Sequence, residues 1–224
     1  MQKILLTKED YINYFEFFTD TIGFPSIILM ENIGRSIAEK IKSKYFDNKK
    51  HPLRDLIFFC GYGENGGYGL VAARHLANAL NTNITVYIVG GVSNFLPDTE
   101  LNFRILKKLN IVDIFPILSE KDLSKIKLHE DALIVDAIFG IESEVDIVGF
   151  ERKVIDKINR LKKEVISIDI PSGLNYTDNF GIIIKSSYTL SILGNKQIFK
   201  NKEIENFLGE VDIVDVGVSK FNIK

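Results

Sequence analysis

Apolar and polar positions along this chain switch repeatedly between two periods. Short runs that are apolar or nearly so, at 55–60, 83–89, 132–136 and 165–169, predict strands buried on both faces. Between them, residues 67–80, 98–109 and 150–162 carry apolar side chains at helical spacing, which predicts a helix after each of the first three strands. Two helices precede the first strand, over 7–20 with aromatics at Tyr11, Tyr14, Phe15 and Phe18, and over 26–44 after the Gly23-Phe24-Pro25 break. Past Gly181 the pattern becomes strand-rich, with strands at 187–193 and 210–216 separated by Gly194-Asn195-Lys196. Such alternation predicts a three-layer α/β/α sandwich of Rossmann-like type, its sheet mostly parallel and extended at one edge by the last two strands.

The 224 residues fit one generous α/β domain, and no linker, charge block or repeat divides them. We therefore expect a single domain over 1–224, with N-terminal helices in 7–46 and a sheet core over 55–218. An apolar fraction of 46% and a net charge of −2 give no electrostatic footprint for nucleic acid. The N-terminus turns polar at Thr7-Lys8-Glu9-Asp10 before a secretory apolar region forms, and no run approaches membrane-spanning length, so a cytoplasmic location is expected. The only cysteine, Cys60, closes an apolar strand and reads as a small buried hydrophobe; His51, His75 and His129 lack the spacing of a zinc site.

In open parallel sheets ligands gather outside the carboxyl ends of the strands, which singles out three loops. The first, in the stretch GYGENGGYGLVAARHL from Gly61 to Leu76, joins a strand to a helix whose N-terminus favours an anion. Its five glycines permit positive φ and close ligand approach. No acidic residue ends the following strand, so the loop is not the cradle of an ordinary dehydrogenase; it is either a phosphate cradle of another kind or a tight structural turn. Asp136 ends a buried-type strand and needs a partner, either a turn that it caps or a cation. Asp169 in Ile168-Asp169-Ile170-Pro171-Ser172-Gly173 sits in a rigid turn that is either structural or able to aim an acid and a hydroxyl at one point.

Four segments together resemble the YjeF N-terminal domain family, whose characterised enzymes are NAD(P)H-hydrate epimerases. They are Leu29-Met30-Glu31-Asn32-Ile33-Gly34-Arg35, the Gly61–Leu76 stretch, Val135-Asp136-Ala137-Ile138-Phe139-Gly140, and Ser167 through Gly173, with a weaker match at Tyr188-Thr189-Leu190-Ser191, Lys196 and Gly217. The resemblance implies a homodimer that interconverts the R and S forms of hydrated NADH or NADPH. A separate NAD(P)H-hydrate dehydratase would act as pathway partner, since no dehydratase domain is expected within these residues. It further implies a potassium ion held by Asn65, Asp136 and Ser172, with Asp169 as the acid/base nearest the hydrated ring. Substrate would lie along Glu64, Asn65, Gly66, Gly67 and Tyr68, along Gly140, Ile141, Glu142, Ser143, Glu144, Val145 and Asp146, and against Asp169.

The chain departs from the family pattern in two places. The family loop N-N-G-G-D-G is here Glu64-Asn65-Gly66-Gly67-Tyr68-Gly69, and the loop after Asp136 carries extra carboxylates at Glu142 and Glu144. Two further readings follow from these changes: a dimerisation or scaffold module with Tyr68 filling the pocket, or a site for another nucleotide-like ligand with Tyr68 lining an open cleft.

Overall fold

A computed structural model describes residues 5–47, 54–126, 128–142, 149–175 and 181–218. Its centre is a seven-stranded, all-parallel sheet of β2 (Leu56–Cys60), β3 (Ile84–Val89), β4 (Asp113–Ile117), β5 (Leu133–Ala137), β6 (Glu164–Ile168), β7 (Tyr188–Ile192) and β9 (Glu210–Val214), in the order β4-β3-β2-β5-β6-β7-β9. The chain runs outward from β2 to β4, returns, and continues on the other side from β5. The switch in strand order therefore falls between β2 and β5, which pair in register from Leu56 and Leu133 to Cys60 and Ala137. Every residue of β2 and β5 is buried, as expected of central strands covered on both faces.

Helices α2 (Ser26–Tyr45), α3 (Glu64–Ala79) and α4 (Pro97–Leu109) share a core with the apolar face containing Phe58, Val135 and Ile166, while α5 (Glu120–Lys125) and α6 (Gly149–Arg160) contribute to the core built on Phe59, Ile134 and Val165. α1 (Lys8–Glu16) starts with a capping box between Thr7 and Asp10 and runs into a π-helical turn at Phe17–Thr21. A two-stranded parallel sheet outside the main one joins β1 (Leu5–Leu6) to β8 (Asn195–Lys196); α7 (Glu205–Leu208) leads into β9.

Several elements differ from the sequence reading. α3 begins at Glu64, not at residue 67, so the glycine-rich segment forms its first turns. None of Gly61, Gly63, Gly66, Gly67 and Gly69 has positive φ. What Gly61, Gly66, Gly67 and Gly69 supply is close approach: a Cβ on Gly66 would stand 2.0 Å from the Gly61 carbonyl oxygen. Strand β4 and helix α5 escape the periodicity because β4 is a sheet edge with an exposed pattern and Pro116 inside it, a residue an edge strand tolerates. Asn195 and Lys196, read as a separator, pair with the N-terminal residues Leu5 and Leu6.

The α2–α3 crossing depends on Gly34, where a Cβ would lie 2.4 Å from Val71 Cβ. Across the same pair of helices Glu31 accepts from Arg74 and meets the His75 ring at 2.7 Å. Gly34→Ala is expected to separate the helices and lower stability by about 1–3 kcal/mol, read as a lower urea midpoint at unchanged slope.

Candidate functional site

The loops after β2, β5 and β6 are neighbours because their strands are. Gly61 N–H donates to the Ala137 carbonyl at 2.9 Å and fastens the first loop to the second. Asp136, fully buried on β5, fastens the second to the third. Its Oδ2 accepts from Ser167 Oγ at 2.8 Å and from Ser172 N–H at 2.9 Å, and its Oδ1 accepts from Ser172 Oγ at 2.6 Å and from Ile138 N–H at 3.3 Å. Burial raises the Asp136 carboxyl pKa, and the bonds from Ser172, Ser167 and Ile138 oppose that rise. Ser172 Oγ in turn accepts from Phe139 N–H at 3.0 Å. Asp136 thus does the turn-bracing work that its end-of-strand position suggested.

Asp169 lies one residue beyond β6 at φ +66°, in the left-handed region that costs a residue with a Cβ about 1–2 kcal/mol. The following turn is closed by Gly173 at φ +101°, where a Cβ would meet the Ile182 carbonyl oxygen at 2.1 Å. The strained placement turns the carboxylate back across the sheet end. There Oδ2 accepts from Ile141 N–H at 2.9 Å, and Oδ1 accepts from Ile192 N–H at 3.4 Å and pairs with Lys196 Nζ at 2.8 Å. Asp169 and Lys196 are 1% and 0% exposed. The ammonium also donates to the Ile192 carbonyl at 2.6 Å and lies 4.5 Å from the centre of the Tyr11 ring. Burial lowers the Lys196 pKa, and the Asp169 and Glu142 carboxylates act in the opposite sense.

Gly140 locates the convergence of the three loops. A Cβ built on it would stand 3.1 Å from Glu142 Oε2, 3.3 Å from Asp169 Oδ2 and 3.4 Å from Asn65 Cβ. Asn65, Gly140, Glu142 and Asp169 therefore meet, with Ile141 bonded to Asp169. Gly66, Gly67 and Tyr68 continue α3 behind Asn65, and Ser143, Glu144, Val145 and Asp146 lie outside the described residues. Both side-chain atoms of Asn65, together with Glu142 Oε2 and Tyr11 Oη, are buried without a hydrogen-bond partner. Unpartnered polar groups of this kind are costly and are concentrated where a ligand or ion completes them. Burial, then Asp169, then Glu64 push the Glu142 carboxyl up to about 7, a shift that Lys196 counters. Burial and then Asp98 also raise the pKa of Glu64.

Beside this cluster is a cavity of about 260 Å³ whose lining includes Tyr11, Phe15, Met30, Glu64, Tyr68 and Glu142. Tyr68 is buried but forms a wall of open space instead of filling it. A larger hollow of about 740 Å³ lies on the outer strands, lined by residues such as Phe103, Phe115 and Leu118. It touches none of Asn65, Asp136, Glu142, Asp169 and Lys196, whereas the smaller cavity reaches that cluster through Glu142, and we assign the chemistry to the smaller cavity. Cys60 is fully buried, with its thiol pKa raised by burial, as expected of a hydrophobe. Among the described residues no three His, Cys, Asp or Glu side chains gather to hold a metal ion, and no helix is long and apolar enough to cross a membrane.

Two functional-looking residues were not assigned roles from sequence. Lys196 was noted only within a weak match and Tyr11 only as one aromatic of a helix. A lysine three residues past the strand predicted at 187–193 was the available signal, because an apolar setting for a lysine demands a carboxylate partner.

Comparison with known proteins bears on the family and the fold. Residues 26–198 match the family described as YjeF-related protein N-terminus. The chain is 31% identical over 203 residues, 90% of its length and 88% of the relative's, to an NAD(P)H-hydrate epimerase of Lentilactobacillus buchneri. It is 33% identical over 198 residues to the bifunctional NAD(P)H-hydrate repair enzyme Nnr of Moorella thermoacetica, matching 87% of this chain but only 37% of that protein. The crystal structure of yeast ynu0, YNL200c, has the same fold, with a TM-score of 0.74 at 22% identity over 86% of this chain and 82% of that one. By the span of the family match and the closeness of these relatives, the chain belongs to the YjeF-related protein N-terminus family.

Proposed function

We propose that the protein is an NAD(P)H-hydrate epimerase, interconverting the R and S forms of hydrated NADH and NADPH. The observation that carries this reading is the meeting of Asn65, Glu142 and Asp169 around Gly140 at the switch point of the sheet, the place where such sheets bind nucleotides. Family membership and the epimerase relatives support the same substrate class.

The hydrate carries its hydroxyl on C6, next to the ring nitrogen. Epimerisation requires the C6–O bond to break with its electron pair going to oxygen while a proton is delivered there. The nitrogen lone pair then forms the C=N bond of a cationic ring, and water returns to either face as the proton goes back to the protein. Asp169 is our choice for the acid/base, because Ile141 N–H, Ile192 N–H and Lys196 fix its orientation. Lys196 is the positioning residue that makes burial of that carboxylate tolerable.

Asn65, Asp136 and Ser172 would hold a potassium ion, for which hard oxygen donors suit. The unpartnered Asn65 amide fits this role, whereas both Asp136 oxygens already accept hydrogen bonds, so the Ser172 hydroxyl would have to rotate to free one. When bound, the ion would supply fixed positive charge that orders the loops and offsets phosphate charge. Homodimerisation, a cytoplasmic location and a separate dehydratase acting on the S form complete the proposal.

Purified protein should interconvert R and S NADPH hydrate faster than the spontaneous rate, and Asp169→Asn should lower that rate by about 10²–10⁴. Wild type no faster than the spontaneous rate, from folded protein, would sink the proposal. Potassium should raise both the rate and the melting temperature, and Asn65→Ala should abolish the thermal shift. Lys196→Met leaves Asp169 buried without its partner and should cost about 3–5 kcal/mol in chemical denaturation. The Glu142 carboxyl titrates higher in the fold than its ordinary value of 4.5, so its contribution is full below that value and is lost as pH rises through about 7. Glu142→Gln should therefore remove a decline of about 1–3 kcal/mol in unfolding free energy between pH 5 and pH 8.

A further inference from the structure

The cavity beside Gly140 has an unusual lining for a protein expected to hold a doubly charged dinucleotide. Its walls are the rings of Tyr11, Phe15 and Tyr68, its charged residues are Glu16, Glu64 and Glu142, and among the described residues no lysine, arginine or histidine lines it. The nearest ammonium, Lys196, is committed to Asp169 at 2.8 Å and to the Ile192 carbonyl. Among the described residues none of the three glutamates has an ion-pair partner. Glu64 occupies the first turn of α3, so the helix terminus that would otherwise attract a phosphate already faces a carboxylate.

Two further observations point to a ligand here. Glu142, which lines the cavity, has its buried Oε2 without a hydrogen-bond partner, and Tyr11, 3% exposed, lines it with its hydroxyl beside that of Tyr68. The space of about 260 Å³ suits one substituted six-membered ring and is too small for a whole dinucleotide. Aromatic faces attract a cation through their quadrupole, and do so more strongly when water is excluded. Carboxylates in the same low-dielectric space add to that attraction and repel an anion.

We infer that this cavity is a cation-selective ring site, which takes a planar, positively charged N-substituted pyridine carboxamide in preference to its neutral or anionic counterparts. The inference rests on the epimerase reading for the choice of ring and for its use: loss of hydroxide from the hydrate leaves a ring with the same positive charge, and a pocket that favours that charge favours the bond-breaking step.

Three ligands that share one ring and differ in charge test the inference on the whole chain: 1-methylnicotinamide, methylated on the ring nitrogen, as cation, nicotinamide as neutral form and nicotinate as anion. Binding is followed by saturation-transfer NMR and calorimetry at pH 7.5. The cation should bind at least about tenfold more tightly than the neutral ring, with nicotinate weaker than both. The double variant Glu64→Gln/Glu142→Gln, its fold checked by thermal melting, should bring cation and neutral ring to within about twofold. Tyr68→Leu, which keeps both carboxylates, should weaken the cation more than the neutral ring. Equal affinities in wild type, no binding by any of the three, or a cation preference that survives in the double variant would each overturn the inference. Because these readouts do not use the hydrate, a failed epimerase assay beside a clear cation preference would sink the proposed reaction and leave the site standing.

Discussion

The burial of Asp169 against Lys196 is the constraint around which this site is organised. A carboxylate 1% exposed at the end of a central strand is prohibitively costly alone, and a lysine with no exposure is equally so. Each makes the other possible, and the pair then needs further donors and acceptors, which Ile141, Ile192 and the Ile192 carbonyl provide. Meeting that demand brings the loop after β5, the turn after β6 and the end of β7 to one point. It also explains the left-handed backbone at Asp169, since an extended residue there would continue the strand direction and aim the carboxylate away from Lys196.

Asp136 and Asp169 are both buried carboxylates at strand ends, yet the fold treats them oppositely. Asp136 is held by neutral donors on all sides, an arrangement that braces loops and presents little free reactivity. Asp169 is held by a charge on one oxygen and a single backbone N–H on the other, and it adjoins a second carboxyl, Glu142, with an unpartnered oxygen. Under the proposed reaction that contrast leaves Asp136 as a brace and Asp169 as the proton carrier.

Much of this was legible in the chain. Long buried strands declare themselves by unbroken apolar runs, and the loops that follow them are then fixed by topology, which is how Asp136, Asp169 and Ser172 came forward, whereas Asn65 came from the resemblance to the family. The rest was hidden for particular reasons. β4 is an edge strand whose exposed positions and Pro116 give no buried pattern. The glycines of 61–69 looked like positive-φ residues because glycine has two uses, and only packing reveals that here the use is contact distance. Lys196 and Tyr11 meet through a pairing of two-residue strands, too short for any periodicity to register and joined by residues at opposite ends of the sequence.

That small pairing of β1 with β8 sets an order of assembly. Lys196 sits on β8 opposite Leu6 of β1, while Asp169 belongs to the central sheet. The β1–β8 pairing therefore closes only after the chain has been made past Lys196 and has returned to its beginning, a contact of very high sequence separation that forms late when loop closure limits folding. A ribosome-bound or partly folded chain would carry the nucleotide-fold core of β2, α3 and β3 without a competent site, so shape and chemistry arrive at different times in the life of the molecule.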